Sequence, residues 1–426
     1  MAAVPEVGSP EQRPPRQGAL AALRHRDFRL IVSGQLISAI GDQMQSVGIA
    51  WHIYVLTGSA LQLGLTGLFR AVPFLALSFL GGALADALDR KQLLLITQAT
   101  RMIITFGLVG AAATGHVTLW LLYGVTALSG AATAFDNPVR QAIIPNLVPR
   151  EDLTGALTLM SLTRQTATIV GPSVGGIVIA RFGLSADYLG NAISFLAVVI
   201  AVLLLGPLPK TRKLSTRNWD AVLGGLRFAR QEPLIMLPLL LDFTTRVAIS
   251  SRALFPIYAS VIFHVGPQGL GWLNSSVAIG AVVGGLALGS RRSVRYPIAL
   301  MVAAYATEGV FMAAFGISGT LVLGVATQFL VGIANVTGEV LQQTVMQLKT
   351  RDEVRGRVTA LAGMFTSGGP MLGQLESGLV ANYIGVIGST VTGGLASVAI
   401  ALCFAFTPGL RQRLGESGHK LAAEAA

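Results

Sequence analysis

Carboxylates set inside apolar sequence are the residues of this chain best placed to do chemistry. Asp42, Asp242, Glu308, Glu339 and Glu376 each fall within a run long enough to cross a bilayer, as do Arg70, Arg101, Arg164, Arg246 and Arg252. An ionised side chain at the bilayer centre costs about 2.5–3.5 kcal/mol on insertion scales, so such groups pair, face water, or carry protons and substrate. Asp42 lies near the middle of one run and Arg70 near the middle of the next, which runs the opposite way, so the two could pair. Asp242 and Arg246 are four residues apart and can pair along one helix. A carboxylate balanced between burial and a nearby arginine can load or lose a proton as its surroundings open to either side. Asp42, Arg70, Asp242, Arg246 and Glu339 are therefore the proton-coupling candidates, with Asp42 the first choice.

These groups belong to stripes. Gln35, Ser38, Asp42 and Gln45 recur at helical spacing, as do Thr126, Ser129, Thr133, Asp136 and Arg140; so do Asp242, Thr245 and Arg246, and Gln328, Asn335, Glu339 and Gln342. Four converging stripes predict a water-accessible central cavity, lined by Gln35, Gln45, Thr133, Asp136, Arg252, Asn335 and Glu376. For the Ser, Thr and Gln members the plainer alternative is hydrogen bonding between helices. A second assembly, Gly81-Gly82-Ala83-Leu84-Ala85-Asp86-Ala87-Leu88-Asp89-Arg90-Lys91, sits between two apolar runs and combines glycines, carboxylates and a basic pair beside the membrane.

The elements that position these residues are membrane helices. With 52% apolar and 12% charged residues and a mean hydropathy of +0.65, the chain is an integral membrane protein. Spans of about 20 residues fall near 30–56, 61–84, 92–113, 118–138, 155–180, 186–206, 234–262, 267–289, 297–318, 320–346, 358–383 and 388–407. This predicts an all-α fold of twelve transmembrane helices, arranged as two pseudo-symmetric six-helix bundles around a central cavity. Its parts are a disordered or amphipathic N-terminus (1–27), a first bundle (28–206), a basic central loop (207–233) with Trp219, Arg227 and Arg230 on a surface helix, a second bundle (234–407) and a tail (408–426). Three signals recur in order at nearly constant offset between the halves. They are Gly81-Gly82 with Gly284-Gly285, the Arg150–Gly155 run with Arg351–Gly356, and Gly171-Pro172-x-x-Gly175 with Gly369-Pro370-x-x-Gly373. Parallel six-span repeats are a transporter architecture. Gly171, Pro172, Gly175, Gly369 and Pro370 are expected bend and close-contact points.

Charge sets topology and excludes other classes. Outside the spans nearly all Lys and Arg fall on the side shared by both termini, with Arg181 opposite, so both termini are expected in the cytoplasm of a bacterial cell. The net charge of +11 is thereby a topology signal, and no nucleic-acid partner is expected. A lone Cys403 excludes an intrachain disulfide. No H-E-x-x-H or G-K-[ST] pattern occurs, and no Ser sits in a G-x-S-x-G turn, the one such spacing (Gly171–Gly175) falling inside an apolar span, so neither an enzyme, a metal site, a cofactor nor an ATP-driven pump is expected.

The Gly82-x-Leu84-Ala85-Asp86-x-x-Asp89-Arg90-Lys91 run resembles the loop 2–3 motif of the major facilitator superfamily, and Gly171-Pro172-Ser173-Val174-Gly175-Gly176 resembles the span 5 motif of its drug:proton antiporters. Further similarity lies in Gly41-Asp42, Phe135–Gln141, Ser251–Pro256 and Arg355–Val358. Together these resemble the branch holding macrolide-efflux and enterobactin-exporter proteins, over about residues 24–408. Two positions depart from the pattern: Ala87 stands where a basic residue is usual, and Thr126 where many proton antiporters carry an arginine. The resemblance implies a monomeric exporter of an amphipathic small molecule (drug, macrolide or siderophore), driven by protons through alternating access. It implies a gate of Gly82, Asp86, Arg90, Lys91, Arg355 and Arg357, in which Asp86 latches onto the start of span 11. An importer or lipid facilitator of the same fold, or a non-transporting sensor, are the alternatives.

Overall fold

A backbone crossing hydrocarbon must satisfy its polar groups internally, and this chain does so with helices. The computed structural model describes residues 19–87, 89–206, 227, 230, 232–291, 294, 296–350 and 352–406. Within these it does not extend to the side chains at 19, 79–87, 137–138, 233–234, 349, 352–357 and 360. The long helices are α1 (Arg26–Thr57), α2 (Ala60–Ala87), α3 (Arg90–Ala113), α4 (Leu119–Ile143), α5 (Leu153–Phe182) and α6 (Leu184–Leu203). They continue with α7 (Pro233–Ala248), α8 (Gly266–Gly289), α9 (Pro297–Gly316), α10 (Leu321–Lys349) and α11 (Asp352–Ala405). α11 is two spans: Gly385, at φ 79° and ψ 166°, turns the chain back between arms 352–384 and 386–405. Among the described residues seven helices are long and apolar enough to cross a membrane by length and composition. That set omits α1 and α4, two of the helices that carry polar stripes.

Span 7 differs from the sequence expectation of one continuous helix. α7 stops at Ala248, a 3-10 turn covers Ser251–Leu254, and a π turn Tyr258–Ile262 completes the crossing. Irregular backbone at membrane depth needs partners, and the first arm of α11 supplies them. The Ser377 hydroxyl donates to the Ser250 carbonyl at 3.2 Å, and the Ser250 hydroxyl donates to the Pro370 carbonyl at 2.9 Å. At the N-terminus the described chain begins inside segment 1–27, with a 3-10 turn Ala19–Arg24 whose Ala22 is fully buried. Most of the central loop, Trp219 included, and the tail 408–426 lie outside the described residues; Arg227 and Arg230 are helical.

The repeat is visible in packing. α5 meets α1 where Gly171 and Gly175 face Gln43 and Met44, and the first arm of α11 meets α7 where Gly369 and Gly373 face Arg246 and Ser250. α4 meets α2 at Gly130, against the Arg70 carbonyl, and α10 meets α8 at Gly332, against the Val277 carbonyl. Among the described residues the halves touch through two equivalent seams. In one, Gly64 and Gly67 of α2 face Gly378 and Met371; in the other, Gly176 and Pro172 of α5 face Pro267 and Gly271 of α8. Both seams run from the middle of the bundle to the face opposite the termini. Tyr54 donates to Ser260 there at 2.9 Å, and Ser173 lies 2.7 Å from Ser275. The apolar core follows the same division. One cluster on that far side joins both halves through Ile49, Leu63, Leu254, Phe255 and Leu270, whereas the terminus-side clusters around Phe28 and Val202, around Tyr305 and Leu341, and around Leu239 and Leu361 each stay within one half.

Candidate functional site

Where the halves diverge, two cavities open. A central one of about 270 Å³ is lined from the first half by Asp42, Gln45, Arg70, Arg101, Thr126 and Thr133, and from the second by Arg252, Leu270, Asn274 and Gln374. A second, of about 540 Å³, continues toward the terminus side along α1, α4 and α5, with Gln35, Asp136, Arg140 and Arg164 in its wall. Asp42, Arg101 and Thr133 line both. Arg252 reaches the centre because it sits on the broken stretch of span 7, in the Ser251–Leu254 turn.

Asp42 is not taken by Arg70, the partner that equal depth allowed. Arg101 of α3 takes it, with Nη2 2.5 Å from Asp42 Oδ1. The Arg101 guanidinium also lies 3.7 Å from Asp136 and 4.6 Å from the centroid of the Phe195 ring. Equal depth on neighbouring spans does not set the direction a side chain takes around its helix, and α3 presents its arginine on the side where Asp42 points. Asp136, 4% exposed, accepts from Thr97 at 2.6 Å, Gln98 at 2.7 Å and Arg140 at 3.2 Å. Arg70 lines the cavity with its Nε buried and unpartnered. Gln45 lines it too, while accepting from Asn191 at 2.5 Å.

The second half brings Asp242, Arg246 and Glu339 together. Arg246 Nε donates to Asp242 at 2.6 Å and its Nη2 to Glu339 at 3.0 Å. Tyr305 donates to the fully buried Asp242 at 2.8 Å. Asn335, expected in the cavity wall, is instead spent on Glu308, to which its Nδ2 donates at 2.9 Å; Glu308 is 2% exposed and its other oxygen has no partner among the described residues. Half-buried Glu376 is outside the walls of both cavities. The span 10 stripe thus turns partly toward α9.

The gate residues divide. Gly82 and Asp86 lie on α2, which stays helical to Ala87, and α3 begins at Arg90, so most of the expected loop is helix. Asp89 caps α3 by accepting from the Lys91 amide at 2.8 Å. Arg90 donates to the Ala142 carbonyl at 2.8 Å and Lys91 to the Leu205 carbonyl at 2.7 Å. These cations meet the carbonyl ends of α4 and α6, within their own half. The side chains of Asp86, Arg355 and Arg357 lie outside the described residues.

The sequence reading gave no role to Arg101 or Asp187. Arg101 carried a usable signal, an arginine within a span. Asp187, near the start of α6, is fully buried with neither oxygen hydrogen-bonded among the described residues. Gly48 and Gly175 face it, and its neighbour Tyr188 bonds His52 at 3.0 Å.

Two six-helix halves meeting around a polar cavity at membrane depth define a transporter of the major facilitator superfamily. The chain belongs to its transmembrane secretion effector family, which matches residues 17–423. It is 28% identical over 383 residues to the enterobactin exporter EntS of Citrobacter koseri, covering 89% of this chain and 91% of that one. The enterobactin exporter EntS of Shigella boydii is 27% identical over 382 residues, with the same coverage. Among solved structures, a bacterial homologue of the lysosomal transporter Spinster, in an inward-facing and unoccupied conformation, superposes with TM-score 0.70 at 16% identity. It covers 92% of this chain and 98% of that one. The nucleoside transporter NupG superposes with TM-score 0.64 at 17% identity, covering 91% and 98%. These likenesses carry the fold.

Proposed function

We propose that the protein exports an amphipathic small molecule (a drug, macrolide or siderophore) in exchange for protons, by alternating access. The observation that carries this is the central cavity, which draws its wall from both halves while the described seams between them gather on the far side. With both termini in the cytoplasm, as the basic residues indicate, this arrangement is open inward. Rocking about the seams would expose the same cavity outward. The kinship with enterobactin exporters supports export and is the reason a siderophore is included in this proposal.

Proton coupling is assigned to charges that can change partner. Asp42 is bound to Arg101 at the edge of both cavities, so a proton on Asp42 would release Arg101 toward Asp136. In the second half Asp242 and Glu339 share one guanidinium, and a proton on either leaves Arg246 to the other. Asp86 is assigned the terminus-side latch against the start of α11, whose first-turn amides favour an anion. Arg90 and Lys91 brace the helix ends beside it.

The test is accumulation of a fluorescent dye or an antibiotic in cells expressing the wild type or Asp42→Asn. Expected is low accumulation for the wild type, abolished by an uncoupler, and high accumulation for the variant. Wild-type extrusion that persists unchanged with an uncoupler would sink proton coupling. Uptake into inverted vesicles driven by an imposed pH gradient separates export from import.

A further inference from the structure

The central cavity holds more positive charge than its carboxylates can neutralise. Among the described residues three guanidinium groups line it, Arg70, Arg101 and Arg252, against one carboxylate, Asp42. Asp42 is already committed to Arg101 at 2.5 Å. That leaves Arg70 and Arg252, one from each half. Among the described residues neither has a carboxylate within the ion-pair limit of 4.0 Å, and the Arg70 Nε is buried without any hydrogen-bond acceptor. The continuing cavity adds Arg140 and Arg164 against Asp136, which is saturated by Thr97, Gln98 and Arg140. Among the described residues of either wall there is no glutamate and no lysine.

Unpaired guanidinium at membrane depth is expensive and is retained where it meets a substrate. Its planar fork matches a carboxylate or similar oxyanion with two parallel hydrogen bonds. We infer that the cargo is an organic anion whose oxyanion is held between Arg70 and Arg252, its apolar body lying against Val47, Ile49 and Leu270. This deepens the export reading and rests on it only for the word cargo. Because the two arginines belong to opposite halves, an anion that engages both favours the arrangement in which both reach it, and so biases the rocking equilibrium by its differential affinity. A cationic amphiphile would meet the same field as repulsion.

The test uses the purified full chain in nanodiscs and three shape-matched probes: 1-naphthoate, its neutral amide, and the 1-naphthylmethylammonium cation. Binding is read by quenching of tryptophan fluorescence and by thermal stabilisation. Expected is naphthoate binding at least tenfold tighter than the amide, with the ammonium weakest. Arg70→Gln and Arg252→Gln should each weaken naphthoate about tenfold, or roughly 1.4 kcal/mol, and leave the amide unchanged. Arg252→Lys, which keeps the charge, should recover part of the loss, and gives a second reading if a Gln variant does not fold. No naphthoate binding to the wild type, equal binding of the amide or the ammonium, or unchanged naphthoate affinity in folded Gln variants overturns the proposal. Binding needs neither a proton gradient nor export. A protein that binds the anion but extrudes nothing would therefore refute the proposed function and leave this inference standing.

Discussion

At the scale of single residues, this protein concentrates its risk in Arg101. One side chain, 10% exposed, serves Asp42, lies within reach of Asp136 and covers the face of Phe195. Removing it leaves Asp42 without its partner at a depth where a lone carboxylate is costly. Arg101→Gln should lose about 1–3 kcal/mol of stability, less than deletion from a fully buried pair because Asp42 is 32% exposed at the cavity wall, read by thermal unfolding in detergent. Adding Asp42→Asn should return part of that loss, since the two act as a unit; strict additivity would show that they do not. Asp187 presents the opposite case. It is buried with no hydrogen-bond partner for either oxygen among the described residues, so Asp187→Asn should leave the melting temperature equal or higher. A fall of several degrees would show that the carboxylate has a partner such as bound water.

At the scale of helices, stability rests on small residues at crossing points. A methyl group on Gly130 would run into the Arg70 carbonyl of α2, whereas one on Gly124 of the same helix meets open space. Gly130→Ala should therefore cost about 1–3 kcal/mol through overpacking, and Gly124→Ala should gain roughly 0.5–1 kcal/mol from helix propensity. Equal melting temperatures for the two variants would remove Gly130 from the α2–α4 contact. The same chemistry governs span 7. Breaking its helix frees backbone groups, of which the Ser250 carbonyl is taken up by the Ser377 hydroxyl of α11, while the Ser250 hydroxyl ties the break to the Pro370 carbonyl; Arg252, which lines the cavity, sits on the broken stretch.

At the scale of the whole molecule, two equivalent seams hold the halves together on the far side. Ser173 and Ser275, 2.7 Å apart across one of them, offer a lock. In a Cys403→Ala background, Ser173→Cys with Ser275→Cys should form a disulfide that stops turnover and is reversed by a reductant. Full turnover in a completely cross-linked sample would refute rocking about that seam. The opposite face is tested through Asp86. Asp86→Asn should slow turnover more than it weakens cargo binding, and a selective loss of binding would refute the latch.

The sequence by itself determined the crossings, their repeat and the depth of the buried charges. Bilayer thickness makes apolar length decisive, and the Gly-Pro runs at Gly171 and Gly369 recur wherever the two halves repeat their packing. It also exposed the Asp242–Arg246 pair, because four residues on one helix fix geometry locally. What it left open was every partner chosen between helices. Asp42 with Arg101 rather than Arg70, Asn335 with Glu308 rather than the cavity, and Arg90 and Lys91 on the ends of α4 and α6 all depend on how each helix is rotated about its axis. Apolar lipid leaves that rotation weakly specified. Close packing at Gly41, Gly130, Gly175 and Gly373 sets it, and only the tertiary structure contains that packing.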